Sequence, residues 1–398
     1  MIDKKGWEKK RFDEVFDLQM GKTPSRNNNL YWTDGQSKWI SIADLKNQKY
    51  ITSTKECITD LAVLESGIKK IPTDTVIMSF KLSIGKTSIT TEDIYSNEAI
   101  MAFHVRNGFE IIPEYLFHYL NSYDWGTMNR AVMGSTLNKA TISSKKINLP
   151  PLPIQQQIVS ELDTLSDIIS KKKQQLADLD ILAQATFYDM FGDPVSNEKG
   201  WDFKTIEQIV IKDRHSIKRG PFGGALKKEI FVESGYLVYE QYHALNNDFT
   251  FARYFIKESD FQNLKAFEVH SGDIIVSCSG VYLGKLAIVP KDSVKGIINQ
   301  ALLKITLDNR IMDNRFFVFV FSNENFKRRY YGNTIGSGIP NFPPMSDFKK
   351  FKFICPSIQL QNQFSERIDS IEEQKSLINK SLADVQHLFD YTMDRYFN

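Results

Sequence analysis

The sequence predicts an α+β protein: two similar mixed α/β units, related by a pseudo-two-fold internal repeat, separated by two long helices that pair as an antiparallel coiled coil. Three observations carry this. Short motifs recur in the same order about 200 residues apart. Each recurrence contains β-rich runs broken by turn residues. Each ends in a helix whose apolar residues step four and three for nearly five heptads.

The repeat comes first because it organises everything else. Gly6-Trp7 returns as Gly200-Trp201, at an offset of 194. Lys38-Trp39-Ile40-Ser41-Ile42 is matched to Tyr236-Leu237-Val238-Tyr239-Glu240 at offset 198. Val76-Ile77-Met78-Ser79 with Ile84-Gly85-Lys86 answers Ile274-Ile275-Val276-Ser277 with Leu283-Gly284-Lys285. Asn97-Glu98-Ala99 and Gly134-Ser135 answer Asn299-Gln300-Ala301 and Gly336-Ser337 at offset 202, and Gln155, Gln157 and Leu176-Ala177-Asp178 answer Gln361, Gln363 and Leu382-Ala383-Asp384 at 206. The offset only grows, as loop insertions in the second copy would make it.

Within each copy, β-rich runs come first: Trp39–Ile42, Thr75–Phe80 and Ala99–Val105, then Tyr236–Tyr242, Asp273–Cys278 and Ala301–Leu307. Helical patterns follow over 113–132 and 313–331, with Pro113 suited to a first turn, where its missing N–H costs nothing. A long helix then begins after Pro150-Pro151-Leu152-Pro153 and stops at Gly192-Asp193-Pro194. Its seam is Ile158, Leu162, Leu165, Ile169, Lys172, Leu176, Leu179, Ala183, Thr186 and Met190. The distal seam is Phe364, Ile368, Ile371, Lys375, Ile378, Leu382, Val385, Phe389, Thr392 and Tyr396. Eight of ten positions in each are apolar or aromatic, and a sustained 3.5-residue period marks a coiled-coil seam, whereas a helix lying on a globular core drifts at 3.6. Thirty-seven such residues make a rod of roughly 55 Å. The domain boundaries expected are 1–152, 153–192, 193–355 and 356–398.

Composition sets limits. With 398 residues, 42% hydrophobic and 25% charged, the chain is ordinary globular material with room for two or three domains. Fifty basic and 48 acidic residues give +2, so any affinity for nucleic acid must be local. No apolar run approaches 18 residues, Met1–Lys5 lacks a signal peptide's apolar core, and Cys57, Cys278 and Cys355 are odd in number and far apart. A reduced, cytoplasmic protein is expected.

No catalytic constellation emerges. Gly21-Lys22-Thr23 and Gly85-Lys86-Thr87 resemble phosphate-loop ends, but Phe16 and Phe80 stand where a P-loop needs glycine. Asn148-Leu149-Pro150-Pro151 and Asn341-Phe342-Pro343-Pro344 carry one residue too many for an amino-methyltransferase loop and read as proline punctuation. His104, His118, His215, His243, His270 and His387 show no metal spacing, Gly134-Ser135-Thr136 is no nucleophile elbow, and Glu8-Lys9-Lys10 lacks an upstream acidic partner. Catalytic and metal-binding residues are therefore expected to be none.

Leu149-Pro150-Pro151-Leu152-Pro153-Ile154-Gln155-Gln156-Gln157-Ile158, with the heptad helix ending Phe187-Tyr188-Asp189-Met190-Phe191-Gly192-Asp193-Pro194, resembles the central region of the specificity (S) subunits of type I restriction-modification systems. Residues 356–398 resemble the distal copy, with Ser357 and Gln359 where Pro151 and Pro153 stand. Trp39-Ile40-Ser41-Ile42-Ala43-Asp44 and Ser83-Ile84-Gly85-Lys86 look like the family's target-recognition domains. The resemblance implies a non-catalytic subunit. Each head would read half of a split double-stranded DNA target, and the helices would set the gap and dock two modification subunits. It also implies restriction (translocase-nuclease) subunits joining that core, no cofactor bound by this chain, and S-adenosylmethionine, ATP and Mg on the partners. The complex so directed would be an adenine DNA methyltransferase and ATP-dependent endonuclease.

Base reading needs donors and acceptors at base edges; positioning needs cations and N–H groups at phosphates. The first head offers Lys22, Thr23, Ser25, Arg26 and Asn27 after Gly21, then Lys81, Ser83 and Lys86. The second offers Lys218, Arg219 and Gly220, then Ser279, Tyr282 and Lys285, with Tyr239, Gln241, Tyr242 and His243 after an apolar strand. Three other readings stay open at this point. An enzyme with an unfamiliar site would bind S-adenosylmethionine alone. A coiled-coil scaffold for proteins would enrich no DNA sequence. The recognition subunit of a related system with a fused modification-cleavage partner would differ in its neighbouring genes.

Overall fold

The computed structural model describes residues 4, 6–46, 48–123, 125, 137–222, 224–280, 282–331 and 341–398. Residues 1–3 and 5, positions 124 and 126–132 of the first predicted head helix, and the matched Gly134-Ser135 and Gly336-Ser337 lie outside them. The chain forms two compact units: Met1–Gln174 with Asn379–Asn398, and Gln175–Ile378. Each unit thus holds one head and parts of both long helices.

In the first unit, Glu8–Arg11 pairs antiparallel with Lys146–Leu149 and closes the head on itself. A five-stranded sheet runs in the order Phe16–Met20, Ile100–Val105, Val76–Ser79, Thr87–Thr90, Tyr50–Ile51. Beside it, a three-stranded sheet runs Glu56–Ile58, Ser37–Ile40, Tyr95–Ser96. The second unit repeats this scheme. Phe203–Thr205 pairs with Lys352–Ile354, a four-stranded sheet runs Ile217–Arg219, Leu302–Ile305, Ile274–Ser277, Leu286–Ile288, and Tyr236–Tyr239 lies parallel to Gly296–Ile298, as Ser37–Ile40 lies parallel to Tyr95–Ser96.

The central strands read as unbroken apolar runs because both their faces are covered. Val76 and Met78 face the core shared with the helices, whereas Ile77 faces a second core with Ile40, Ile51, Ile94 and Ile100. Ile274 and Val276 likewise part from Ile275. Burial on two faces removes the usual apolar-polar alternation.

The long helices span Leu152–Phe191 and Ile358–Phe397, 40 residues each. Every seam position named above is buried or half-buried. In the first unit, Glu161 near the start of one helix accepts hydrogen bonds from Arg395 (3.2 Å) and the Tyr396 hydroxyl near the end of the other. In the second, Lys375 meets Asp180 at 2.8 Å, and Phe364 packs against Phe187 with ring centroids 5.6 Å apart. The pairing is antiparallel. The first helix stops at Gly192, whose φ of +74° is the left-handed cap that glycine adopts without penalty; its N–H donates to the Tyr188 carbonyl at 2.9 Å.

A pair of buried glutamines fastens both helix starts to their heads. The Gln155 amide donates to the carbonyls of Glu110 (3.0 Å) and Pro150 (2.9 Å) and accepts from Ile112 N–H (3.0 Å). Gln361 repeats all three bonds with Ile311 (3.1 Å), Pro356 (2.8 Å) and Asp313 (2.9 Å).

Five expectations need correction. The first head helix is Pro113–Ser122 within the described residues. The pattern over 313–331 is two helices, Asn314–Ser322 and Glu324–Tyr331, because the Asn323 side chain accepts from the N–H groups of Asn325 (2.9 Å) and Phe326 (3.1 Å) and restarts the chain. The strand expected over 236–242 ends at Tyr239, where Glu240 precedes the helix Gln241–Asn246. The run 39–42 ends as a strand at Ile40, where Ser41 and Asp44 cap a short turn. The match of 38–42 with 236–240 also slips by one residue: Asn97 N–H bonds the Ile40 carbonyl and Asn299 N–H bonds that of Tyr239, so Ile40 and Tyr239 are equivalent.

Candidate nucleic-acid interface

Equivalent loops emerge at the same place in both heads, and one repeated device positions them. Asn97 and Asn299 each close a turn by accepting from the N–H of Ala99 (3.1 Å) and Ala301 (3.0 Å). The preceding strand ends against that turn at Gly21 or Gly220. A Cβ on Gly21 would lie 2.2 Å from the Asn97 carbonyl oxygen, and one on Gly220 1.8 Å from that of Asn299. Only glycine lets the chain pass so close.

In the first head, the loop after Gly21 and the turn after Ser79 meet around Glu98. Thr23 donates to the Glu98 carboxylate at 2.5 Å. That hydrogen bond, with the charges of Lys81 and Arg26 adding to it against partial burial, holds Glu98 below the usual carboxylate range. Arg26 forms a two-pronged pair with Glu56 (2.5 and 2.9 Å), and its guanidinium lies 3.8 Å from the centre of the Trp32 ring and 4.9 Å from that of Trp39. It is half-exposed and fixed. Lys22 is exposed and its ammonium donates to the Ser66 carbonyl, while the Ser25 carbonyl accepts from the Trp32 indole at 3.1 Å. Ser83 is exposed and Lys81 half-buried, with its ammonium over Phe80. Lys86 instead lines a cleft with Phe117, His118 and Asp394.

In the second head, Lys218 lies over Phe267 and Arg219 over the exposed Phe222. Gln241 donates to Ser277 Oγ (2.9 Å) and the Ser279 carbonyl (2.9 Å), which joins the two loops predicted separately. Tyr242 and Tyr282 are exposed, and so is Lys285. Tyr239 and His243 are a correction. Both are fully buried; the Tyr239 hydroxyl donates to the Val294 carbonyl at 2.5 Å, and the His243 ring accepts from Glu240 N–H through Nδ1 (3.0 Å) and meets the Phe251 carbonyl through Nε2 (3.0 Å). They shape the loop from beneath and do not face outward.

Glu98, Glu56 and Trp32 escaped the reading from sequence. Glu98 had a signal, the middle place of the duplicated Asn-x-Ala motif; Glu56 lies 30 residues from the arginine it holds, and nothing local announces it. Burial pushes the Cys278 thiol up to about 12, far from nucleophilic range. Among the described residues, no group of histidine, cysteine, aspartate and glutamate side chains is placed to hold a metal ion, and no helix is long and apolar enough to cross a membrane.

Two similar α/β heads with charged, polar loops, each buttressed by a helix pair, define a two-headed recognition protein. The chain belongs to the family of the type I restriction modification DNA specificity domain, whose model matches twice, over residues 4–179 and 198–387. It is 23% identical over 393 residues to the type I restriction enzyme MjaIX specificity subunit of Methanocaldococcus jannaschii, covering 93% of this chain and 87% of the relative. It is 28% identical over 185 residues to the HindI specificity subunit of Haemophilus influenzae, covering 42% of this chain and 38% of that one. The fold resembles the S subunit of a type I restriction-modification system from M. genitalium (TM-score 0.57, 14% identity, 99% of this chain and 96% of that one). It also resembles a chain solved in work on complex assembly and conformational transition of the type I R-M system (TM-score 0.63, 15% identity, 99% and 98%).

Proposed function

We propose that this chain is the DNA sequence-recognition subunit of a type I restriction-modification complex and has no chemistry of its own. Each head reads one half of a bipartite target through the loops after Gly21 and Ser79, or after Gly220 and Ser277. The paired helices set the gap between halves. The observation that carries this reading is duplication with divergence: the same Gly-Asn device presents Lys22-Thr23-Pro24 in one head and Pro221-Phe222 in the other.

Two modification subunits are the proposed partners at the helices, with restriction subunits beyond them. S-adenosylmethionine, ATP and Mg belong on those partners. A duplicated cleft supports two copies of one partner. In the first unit, Phe117, His118, Asn121 and Ser122 face Phe389, Asp390, Met393 and Asp394 across a cleft of about 760 Å³. In the second, the equivalent Val318, Phe319, Ser322 and Asn323 face Gln184, Phe187 and Tyr188 across one of about 350 Å³.

Methylation-sensitive sequencing of DNA from cells carrying the chain and its modification partner tests the reading. A single split motif of two unlike halves is expected. Methylation without sequence preference, or turnover by the isolated chain with S-adenosylmethionine, would overturn it.

A further inference from the structure

The turn joining Val76–Ser79 to Thr87–Thr90 holds an oddity that folding does not explain. Leu82 sits at φ +62°, in the left-handed region that a leucine side chain resists, and is 80% exposed. It belongs to none of the apolar cores of its head. The second head makes the same turn differently. Ser79 and Ser277 are equivalent, since each N–H bonds the carbonyl of the lysine that closes its turn, Lys86 or Lys285; the second turn is one residue longer, and counting forward from the strand end places Gly280, φ +78°, opposite Leu82. A Cβ on Gly280 would touch nothing within 4 Å, so nothing in that turn calls for a side chain. The first head thus carries a strained backbone and an exposed apolar group where the second shows that glycine suffices.

Its surroundings indicate what such a group would meet. Leu82 lies between Lys81 and Ser83, and Lys81 shares Glu98 with the Thr23–Arg26 loop. The turn joins two neighbouring antiparallel strands inside the five-stranded sheet, at the end where Met20 leads into the Thr23–Arg26 loop, and the apolar feature of base edges in the major groove of B-DNA is the C5-methyl group of thymine. We infer that Leu82 is a specificity-determining residue that contacts a thymine methyl in the half-site of the first head. This rests on the DNA-recognition reading above.

The test uses the full chain assembled with its modification subunits, on its selected target. Each thymine of the half-site read by the first head is replaced in turn by uracil, which lacks the methyl. The wild-type complex should bind one such duplex about fourfold more weakly, the factor that one buried methyl group contributes. Leu82→Gly should bind the thymine duplex with at least that loss and become indifferent to that uracil. Its thermal midpoint should stay level or rise, because the backbone strain is relieved. Equal binding of every uracil duplex by the wild type, or uracil sensitivity retained in Leu82→Gly, would overturn the inference while leaving the recognition reading intact. A wild-type complex without any sequence preference would overturn both.

Discussion

Phe364→Ala is the most direct test of whether the long helices are part of each head or merely attached to it. Phe364 is fully buried and sits where both helices meet the second head. Its ring is edge-on to Phe187, Phe191 and Phe319, with centroids 5.6, 5.4 and 4.9 Å away. Truncating a buried phenylalanine costs about 3–5 kcal/mol, and these contacts, with a fourth edge-on to Phe316 at 6.4 Å, place this site toward the upper end. A unit of residues 175–378 is near 200 residues long, where each kcal/mol moves the midpoint by about 2–4 °C. The expected fall is therefore about 10–15 °C. Leu377→Ala, on the same helix but 64% exposed, is the control and should shift the midpoint by under about 2 °C. Calorimetry of the full-length variants reads both. If Phe364→Ala melted with the control, the helix would be a tether and not a wall of the core, and the reasoning would fail.

Three further outcomes follow from the same geometry. Gln155→Leu should lower stability by about 2–4 kcal/mol, because two carbonyls and one N–H lose their buried partner, and urea titration should show a lower midpoint with an unchanged slope. Inserting four residues after Gln174, about 6 Å of helix, should lengthen the preferred gap in a selection on random-gap DNA; an unchanged gap with altered half-sites would refute a spacer role. Asp163 gives an acid limb: burial pushes its carboxyl up, but the hydrogen bonds from His118 and Lys49 outweigh that and hold it below its unfolded value. Its contribution is thus complete above about pH 4 and lost as pH falls through the lowered value. Asp163→Asn should flatten the fall in melting temperature below pH 4, and an unaltered acid slope would count against the pairing.

Much of the architecture was legible because the helices speak in a long-period code. A 4-3 step held over ten positions has few alternatives, and all twenty seam residues are at least half-buried. The strands were legible as strands but not in register. Residues 38–42 and 236–240 slipped by one because the strands Ser37–Ile40 and Tyr236–Tyr239 end in consecutive buried residues, so no apolar-polar alternation marks their phase. Asn323 broke a helix that its apolar spacing predicted, since a side-chain cap outcompetes propensity at one point. The candidate interface was the least legible part. Thr23 finds Glu98 75 residues away and Arg26 finds Glu56 30 residues away, contacts set by sheet topology and absent from any local pattern. Tyr239 and His243 looked like polar reading groups by composition, yet their polar atoms are spent on nearby backbone beneath the loop.

The residues that recur and those that differ do separate physical work. Gly21 and Gly220 pass under a carbonyl, Asn97 and Asn299 turn the chain, and Gln155 and Gln361 fasten the helices; each pair makes the same contacts in both units. All are buried or turned inward, so changing one strikes the scaffold first. The loops are where the copies diverge: Arg26 held between Glu56 and Trp32 has no counterpart in the Phe222 of the other head, and the exposed Leu82 stands where the other copy has Gly280. An exposed residue such as Leu82, packed in no core, changes what a head can meet at small cost to its stability, and its strain shows that such a change can persist even where the backbone opposes it. Duplication on this plan yields two surfaces that share a fold and are free to differ in what they recognise.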